Sequence, residues 1–452
     1  MDEKLEKRYG LFTAIAMVVG TVIGSGVFFK AEKILKATGG DLPQGIMSWV
    51  IGGIIMVSCA YVFAVLGTRY ERVNGLVDYA EAVVGKKYGY FVGWFMTMIY
   101  YPTLTSVLAW VSARYTGVLL GYSIVGPEVM TISCFYLILA YGLNALSPVL
   151  AGKFQVSSTI IKLIPLGLMA IFGTVSGMRN GVLVQNFTSG VLPGAQVSQN
   201  PLFVAVVATA FAYEGWIIAT SINAELKDAK RNLPIALVAG TVFVVITYIL
   251  YYTGLAGAVS NETMMKGGET AAKLAFSNVF TKAGGTVLFV FIVISCLGTL
   301  NGLMLGCTRG IYSLAVRSNN PKMEMFKSIE KTTNMPTNSS VVGLLLCGFW
   351  LWYFYGANLV KTPWFGKFSF DSSELPIVTI YALYIPVFFK MMVKEKELSF
   401  IKRYLTPCLA IVSCLFMMIA ACYSHGMSVV YYLVVFVVVM LLGMFFMDKK
   451  QE

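Results

Sequence analysis

The sequence predicts an all-α protein that crosses a membrane twelve times. Hydrophobic residues make up 57% of the 452 positions and charged residues only 12%, and the mean hydropathy is +0.74. A soluble chain of this length needs far more charge to cover its surface. Uncharged runs long enough to span a bilayer recur along the whole chain. Lys and Arg divide unevenly between alternate connections, 23 on the side of the amino terminus and nine on the other. That partition calls for an even number of spans and for cytoplasmic termini at both ends.

Span one covers 11–35. Leu11 to Phe29 carry no charge, yet Gly20 to Gly26 read GTVIGSG, and each glycine costs a helix roughly 1 kcal/mol relative to Ala. A secretory signal has a shorter apolar core and a small-residue cleavage site, which Lys30 to Lys36 do not resemble. Span two covers 43–67, and 68–88 has the periodicity of a short helix at the inner surface. Spans three and four cover 89–120 and 126–147. Span five, 154–177, holds Lys162. Arg179 to Gln199 form the longest outer connection that lacks an obvious helix. Span six, 201–224, contains FAYEGW, Phe211 to Trp216, a carboxylate and a glycine inside an apolar run. Spans seven and eight cover 233–258 and 284–312. Residues 317–338 mix Lys, Asn and Pro and read as a flexible linker. Spans nine to twelve cover 339–358, 374–392, 404–424 and 427–447.

Several classes are disfavoured. The net charge of +12 lies in connections, where it sets topology, so no nucleic acid is expected. The eight cysteines sit in apolar segments without metal or disulfide spacing and read as small packing residues. The one histidine, His425, falls in a short loop, so neither a metal nor a cofactor is expected. An ion channel needs rings of carbonyls or charges along a pore. An intramembrane enzyme needs paired carboxylates or a nucleophile with its base. Neither pattern is present.

GTVIGSG admits two readings. Gly20 and Gly24 form a GxxxG, which suits close helix packing. A break at membrane depth is the other, tolerated where the freed backbone groups face a cavity or a ligand. FAYEGW is a second interruption at the start of a second half, and such a pair points to a transporter's central site. The half-helix after the first break would aim its amides, near Gly24, Ser25 and Gly26, at a carboxylate. Carbonyls freed near Thr21 and Val22, and near Phe211, Ala212 and Glu214, suit an ammonium. Amides on one wall and carbonyls on the other select an amino acid zwitterion. Ile23 and Tyr213, inside the two interruptions, are included in this site.

GTVIGSGVF, LGTRYERVNGLVDYAEAVVGKKYGYFVGW, FAYEGWIIATSINAELKDAKRNLPIAL and GTLNGLMLGCTRGIYSLA, in that order, resemble four motifs of the amino acid–polyamine–organocation (APC) superfamily. GSG with FAYEGW is most similar to its L-type amino acid exchangers. The resemblance implies the LeuT fold within a single domain, 1–452. It has two inverted five-helix repeats, 9–178 and 200–393, and two added helices in 400–447, with helices one and six unwound in mid-membrane. It further implies alternating access by a rocking bundle, amides of Gly24, Ser25 and Gly26 on the substrate carboxylate, and carbonyls of Val22, Phe211, Ala212 and Glu214 on its ammonium. The Phe211 ring would gate the site. Animal members of the exchanger group use a cysteine between spans three and four to bridge to a single-pass partner. LGYSIVGPE has none, so no disulfide-linked ancillary subunit is expected.

A buried lysine in a membrane helix costs about 2.5–3.5 kcal/mol on insertion scales, so Lys162 needs partners. It stands nine residues past Lys153, about 13 Å along a helix, which makes snorkelling to the interface awkward. In relatives a lysine here replaces a sodium ion and bridges helix one to helix eight, which implies Gly20 carbonyl contacts and Thr299 as a neighbour. A lysine that releases its proton could couple proton movement; one that stays charged is a fixed strut in an exchanger. Glu214 could recognise a cationic side chain, take part in gating or face a wet inner vestibule. The reading that leads is a plasma (inner) membrane exchanger of small neutral L-amino acids such as alanine and serine. The alternative is a proton-coupled or cationic amino acid permease using Lys162 or Glu214.

Overall fold

In the computed structural model, residues 10–70, 75–218, 220, 226–330, 333 and 335–448 are described. Among them, nine helices are long and apolar enough to cross a membrane, and ten when one bent pair counts as a single span. That pair is α1, Leu11–Val22, and α2, Gly26–Ala37, whose axes diverge by 46°. After it come α3 (Leu42–Arg69), the short α4 (Leu76–Val83), α5 (Lys86–Phe95) and α6 (Tyr101–Leu120). A π turn, Met96–Tyr100, joins α5 to α6 and divides predicted span three.

Next are α7 (Pro127–Leu146), α8 (Pro148–Leu168), α9 (Thr174–Arg179), α10 (Val182–Thr188) and α11 (Pro201–Ala212). The second half follows with α12 (Ala229–Ala258), α13 (Asn261–Gly267) and α14 (Glu269–Ala315). Element α14 is kinked at Phe280 and Thr281, and predicted span eight is its second limb. Last come α15 (Thr337–Phe354), α16 (Leu375–Lys394), α17 (Thr406–His425) and α18 (Ser428–Met444). Of the twelve predicted spans, three and twelve fall short of the length and apolarity measure; α18 has 17 residues.

Helix α12 packs along α3 and α1, α14 along α6 and α8, and α11 along α2 and α3. Aromatic rings fill the seams. Trp49 stands edge-on to Tyr213 and Tyr248, and Phe63 meets Tyr384 and Phe388. Cores of this kind rest on ring contacts and close approach, because lipid supplies no hydrophobic drive between helices.

Five expectations are corrected. The outer connection after span five contains α10. Asn180 Oδ1 accepts the Val182 N–H at 3.0 Å, and buried Asn186 ties the helix to α12 through the carbonyls of Ala256 and Val259. The linker at 317–338 is held, as far as it is described: Arg317 pairs with Asp78 and Glu81, Pro321–Lys327 form a 3₁₀ helix, and Met323 is buried beside Trp94 and Met447. His425 is the last residue of α17, not a loop residue, because the helix runs on to Gly426, which ends it at positive φ. Lys30, one of the nine Lys and Arg assigned to the outer side, lies inside α2 and is fully buried. Of the cysteines, Cys134, Cys408 and Cys422 are exposed on helix surfaces instead of packed.

Residues 71–74 of the predicted inner-surface helix and the span-six positions 219 and 221–224 lie outside the described residues.

Candidate functional site

The GTVIGSG segment straddles the gap between two helices. Helix α1 ends at Val22, Ile23 turns extended (φ −69°, ψ 102°), and α2 restarts at Gly26 with Ser25 as its N-cap. Lys162 resolves the cost of the break. Its ammonium, wholly buried, donates to the carbonyls of Gly20 at 2.8 Å and Ile23 at 2.6 Å, and to Thr299 Oγ1 at 3.3 Å. One cation from α8 therefore satisfies carbonyls freed in α1 and reaches α14. Break and buried charge, each unfavourable alone in lipid, compensate one another.

The glycines of this segment are also points of close approach, so both readings of GTVIGSG apply. A Cβ on Gly20 would meet Thr159 Cγ2 at 2.7 Å, one on Gly24 would meet Thr299 Oγ1 at 2.9 Å, and one on Gly26 would run into the Ala212 backbone. Gly26 is thus one place where the two interrupted segments touch.

The second interruption begins where α11 stops at Ala212. Tyr213, Glu214 and Gly215 are not helical, and a 3₁₀ turn starts at Trp216. Gly215 takes φ +108°, open to glycine and strained for other residues, and a Cβ there would stand 2.6 Å from the Thr21 carbonyl oxygen. Tyr248, on α12, bridges the two breaks: its hydroxyl lies 3.1 Å from the Val22 and the Ala212 carbonyl oxygens. Tyr100, at the end of the π turn, donates its hydroxyl to Glu214 Oε1. Phe211 stands edge-on to Phe29 at 6.0 Å, and the Lys30 ammonium lies 5.1 Å from its ring centre.

Between the breaks lies a cavity of about 40 Å³. Val22, Gly24, Ser25, Gly26, Phe211, Glu214 and Thr299 line it, all candidates from the sequence. The other candidates sit behind it. Gly20 and Ile23 give their carbonyls to Lys162, and Ala212 gives its own to Tyr248. Tyr213 turns away and donates to the Trp49 carbonyl at 2.9 Å, because its ring stacks on Tyr248 between α3 and α12. Thr21 and Gly215 also line it, as do Leu104, Leu108 and Leu303, which were not foreseen. A leucine in an apolar helix carries no signal that tells a cavity wall from packing. Ser25 Oγ is buried with no hydrogen-bond partner among the described residues.

The model of the amino acid permease family matches residues 9–446. The chain belongs to that family. The permease is 28% identical over 402 residues to the serine/threonine exchanger SteT of Bacillus subtilis, covering 89% of this chain and 86% of the relative. It is 26% identical over 335 residues to the rabbit b(0,+)-type amino acid transporter 1, covering 74% and 67%. It is 22% identical over 335 residues to the human cystine/glutamate transporter, covering 74% and 66%. These matches make it an APC superfamily transporter related to the L-type amino acid transporters. The relatives' names differ in substrate, so kinship alone does not fix what this permease carries. Among the described residues no group of three His, Cys, Asp or Glu side chains could hold a metal ion in the permease.

Proposed function

We propose that this permease exchanges small neutral L-amino acids, such as alanine and serine, across the plasma (inner) membrane by alternating access. In this reading it has the LeuT fold with twelve spans, both termini in the cytoplasm, and helices one and six unwound in mid-membrane. Residues 9–178 and 200–393 are the inverted repeats, and 400–447 carry the two added helices. The amides at the start of α2 take the substrate carboxylate, since a helix N-terminus offers unpaired N–H groups and a favourable dipole. The Val22 and Ala212 carbonyls, each with a second lone pair beyond the Tyr248 contact, take the ammonium. Phe211 covers the substrate.

The observation that carries this reading is the buried, unpartnered Ser25 Oγ at the start of α2, in the wall of a cavity bounded on its other side by Phe211. A buried hydroxyl without a partner is costly and expects a polar ligand. The Leu104, Leu108 and Leu303 wall favours an uncharged side chain. Lys162 then works as a strut that holds the broken first helix, which suits exchange in the absence of a driving ion.

The test is counterflow. Purified permease in vesicles loaded with unlabelled alanine should take up labelled serine without an imposed ion gradient, and empty vesicles should not. Uptake that requires an inward proton gradient, or that is driven by internal arginine and not by alanine, would contradict it.

A further inference from the structure

Resting on that reading, we infer that Glu214 is a hydroxyl-recognition group. Its Oε2 accepts the side-chain O–H of a serine-sized substrate, and Tyr100 is the positioning residue that aims it.

Most polar side-chain atoms around the cavity are already engaged. Thr21 Oγ1 donates back to the Met17 and Val18 carbonyls at 2.9 and 3.0 Å. Thr299 Oγ1 accepts from Lys162 and donates to the Ser295 carbonyl at 3.3 Å. Ser25 Oγ sits with the amides at the start of α2, where the zwitterion's carboxylate belongs. Leu104, Leu108, Leu303 and Phe211 offer neither donor nor acceptor through their side chains. Glu214 remains. It is 6% exposed, its Oε1 is held by the Tyr100 hydroxyl, and its Oε2 has no hydrogen-bond partner of good geometry among the described residues.

Besides Tyr100, the Gly215 backbone N–H lies near the carboxylate, and an oxygen without a well-aligned donor is left to take one from the ligand. A long cationic arm would also supply one, but it would have to lie along the apolar wall of Leu104, Leu108 and Leu303. A hydroxyl on the first side-chain carbon adds the donor at almost no volume. The Tyr100 ring, fully buried and delivered by the π turn at Met96–Tyr100, keeps the carboxylate from swinging out of the wall. A site that pairs a substrate hydroxyl disfavours an analogue whose methyl fills that space, because the carboxylate oxygen is then left unpaired, whereas alanine leaves room there for a water.

The experiment is competition against labelled alanine in vesicles, comparing serine with α-aminobutyrate, in which a methyl replaces the hydroxyl. For the unaltered permease, serine should compete at a concentration at least about ten-fold lower, the span expected of a hydrogen bond to a charged group. In Glu214→Leu that ratio should fall to about one. In Tyr100→Phe the KM for serine should rise while the KM for α-aminobutyrate stays the same, which a merely structural role for Tyr100 would not produce. Equal competition by the two solutes in the unaltered permease would overturn the inference, and that comparison needs no variant to fold. Lysine competing as well as serine would also overturn it, by assigning the carboxylate to a cation. If neither small solute displaced alanine, the exchange reading itself would fail and this inference with it.

Discussion

The ammonium of Lys30 lies 2.8 Å from Glu374 Oε1, and neither side chain is exposed beyond 1%. The pair joins α2 to the start of α16. It is part of a larger cluster: Lys33 reaches the same Glu374 oxygen at 2.6 Å and Asp371 at 3.1 Å, and His425 Nε2 lies 3.1 Å from Glu374 Oε2. Because Lys30 also lies over the Phe211 ring, the cluster fixes the half of the broken first helix that packs on the candidate gate.

Removing one partner of a buried ion pair leaves the other charge uncompensated, at a cost of about 3–5 kcal/mol. Lys30→Met and Glu374→Leu should each lower the detergent-solubilised permease's denaturation midpoint strongly. The double variant should recover much of the loss, since Lys33 is 39% exposed and can turn to water. A double-mutant cycle measures this; additive losses would mean the two groups do not interact.

Lys162→Met keeps the bulk and removes the donor. The Gly20 and Ile23 carbonyls then lose their partner inside the membrane. Exchange should fall at least about ten-fold, the effect of losing a charged hydrogen-bond donor at a buried site. Initial-rate counterflow checks it, with size-exclusion profiles confirming that the variant is folded. Flux and KM equal to those of the parent would contradict the strut role.

Gly215→Ala forces a Cβ into a positive-φ position and toward the Thr21 carbonyl. The expected loss is about 1–3 kcal/mol, from backbone strain, together with most of the transport. Gly142→Ala is the control. Gly142 lies inside α7 with open space where the Cβ would go, so the change should leave the midpoint equal or slightly higher.

Asn186→Leu breaks the contacts to the Ala256 and Val259 carbonyls and the acceptance of the Asn261 N–H at 3.1 Å. Buried groups left unpaired cost about 1–3 kcal/mol each. The midpoint should drop, while the ratio of serine to alanine exchange should not move, because Asn186 is remote from the cavity lining.

The two interruptions were legible because glycine and serine cluster where an apolar helix should not tolerate them, and because Glu214 is a charge in the wrong place. Lys162 was legible for the same reason. The partners of these groups were not. Tyr100 and Tyr248 are far from Glu214 and Val22 in the chain, and a tyrosine in an apolar helix is more often packing. Hydrophobic runs located the long helices to within a few residues but not the π turn at Met96–Tyr100, which leaves no compositional trace. Residues 317–330 misled because Lys and Asn suggest solvation, whereas the deciding contacts are Met323 in an apolar cluster and Arg317 on two acidic residues of α4.

The central claim is that main chain from both interruptions grips both ends of one zwitterion. Calorimetric binding to purified permease tests it with three solutes: serine, ethanolamine, which lacks the carboxylate, and β-hydroxypropionate, which lacks the amine. Heat and saturation are expected with serine alone. Comparable affinity for either truncated solute would contradict it.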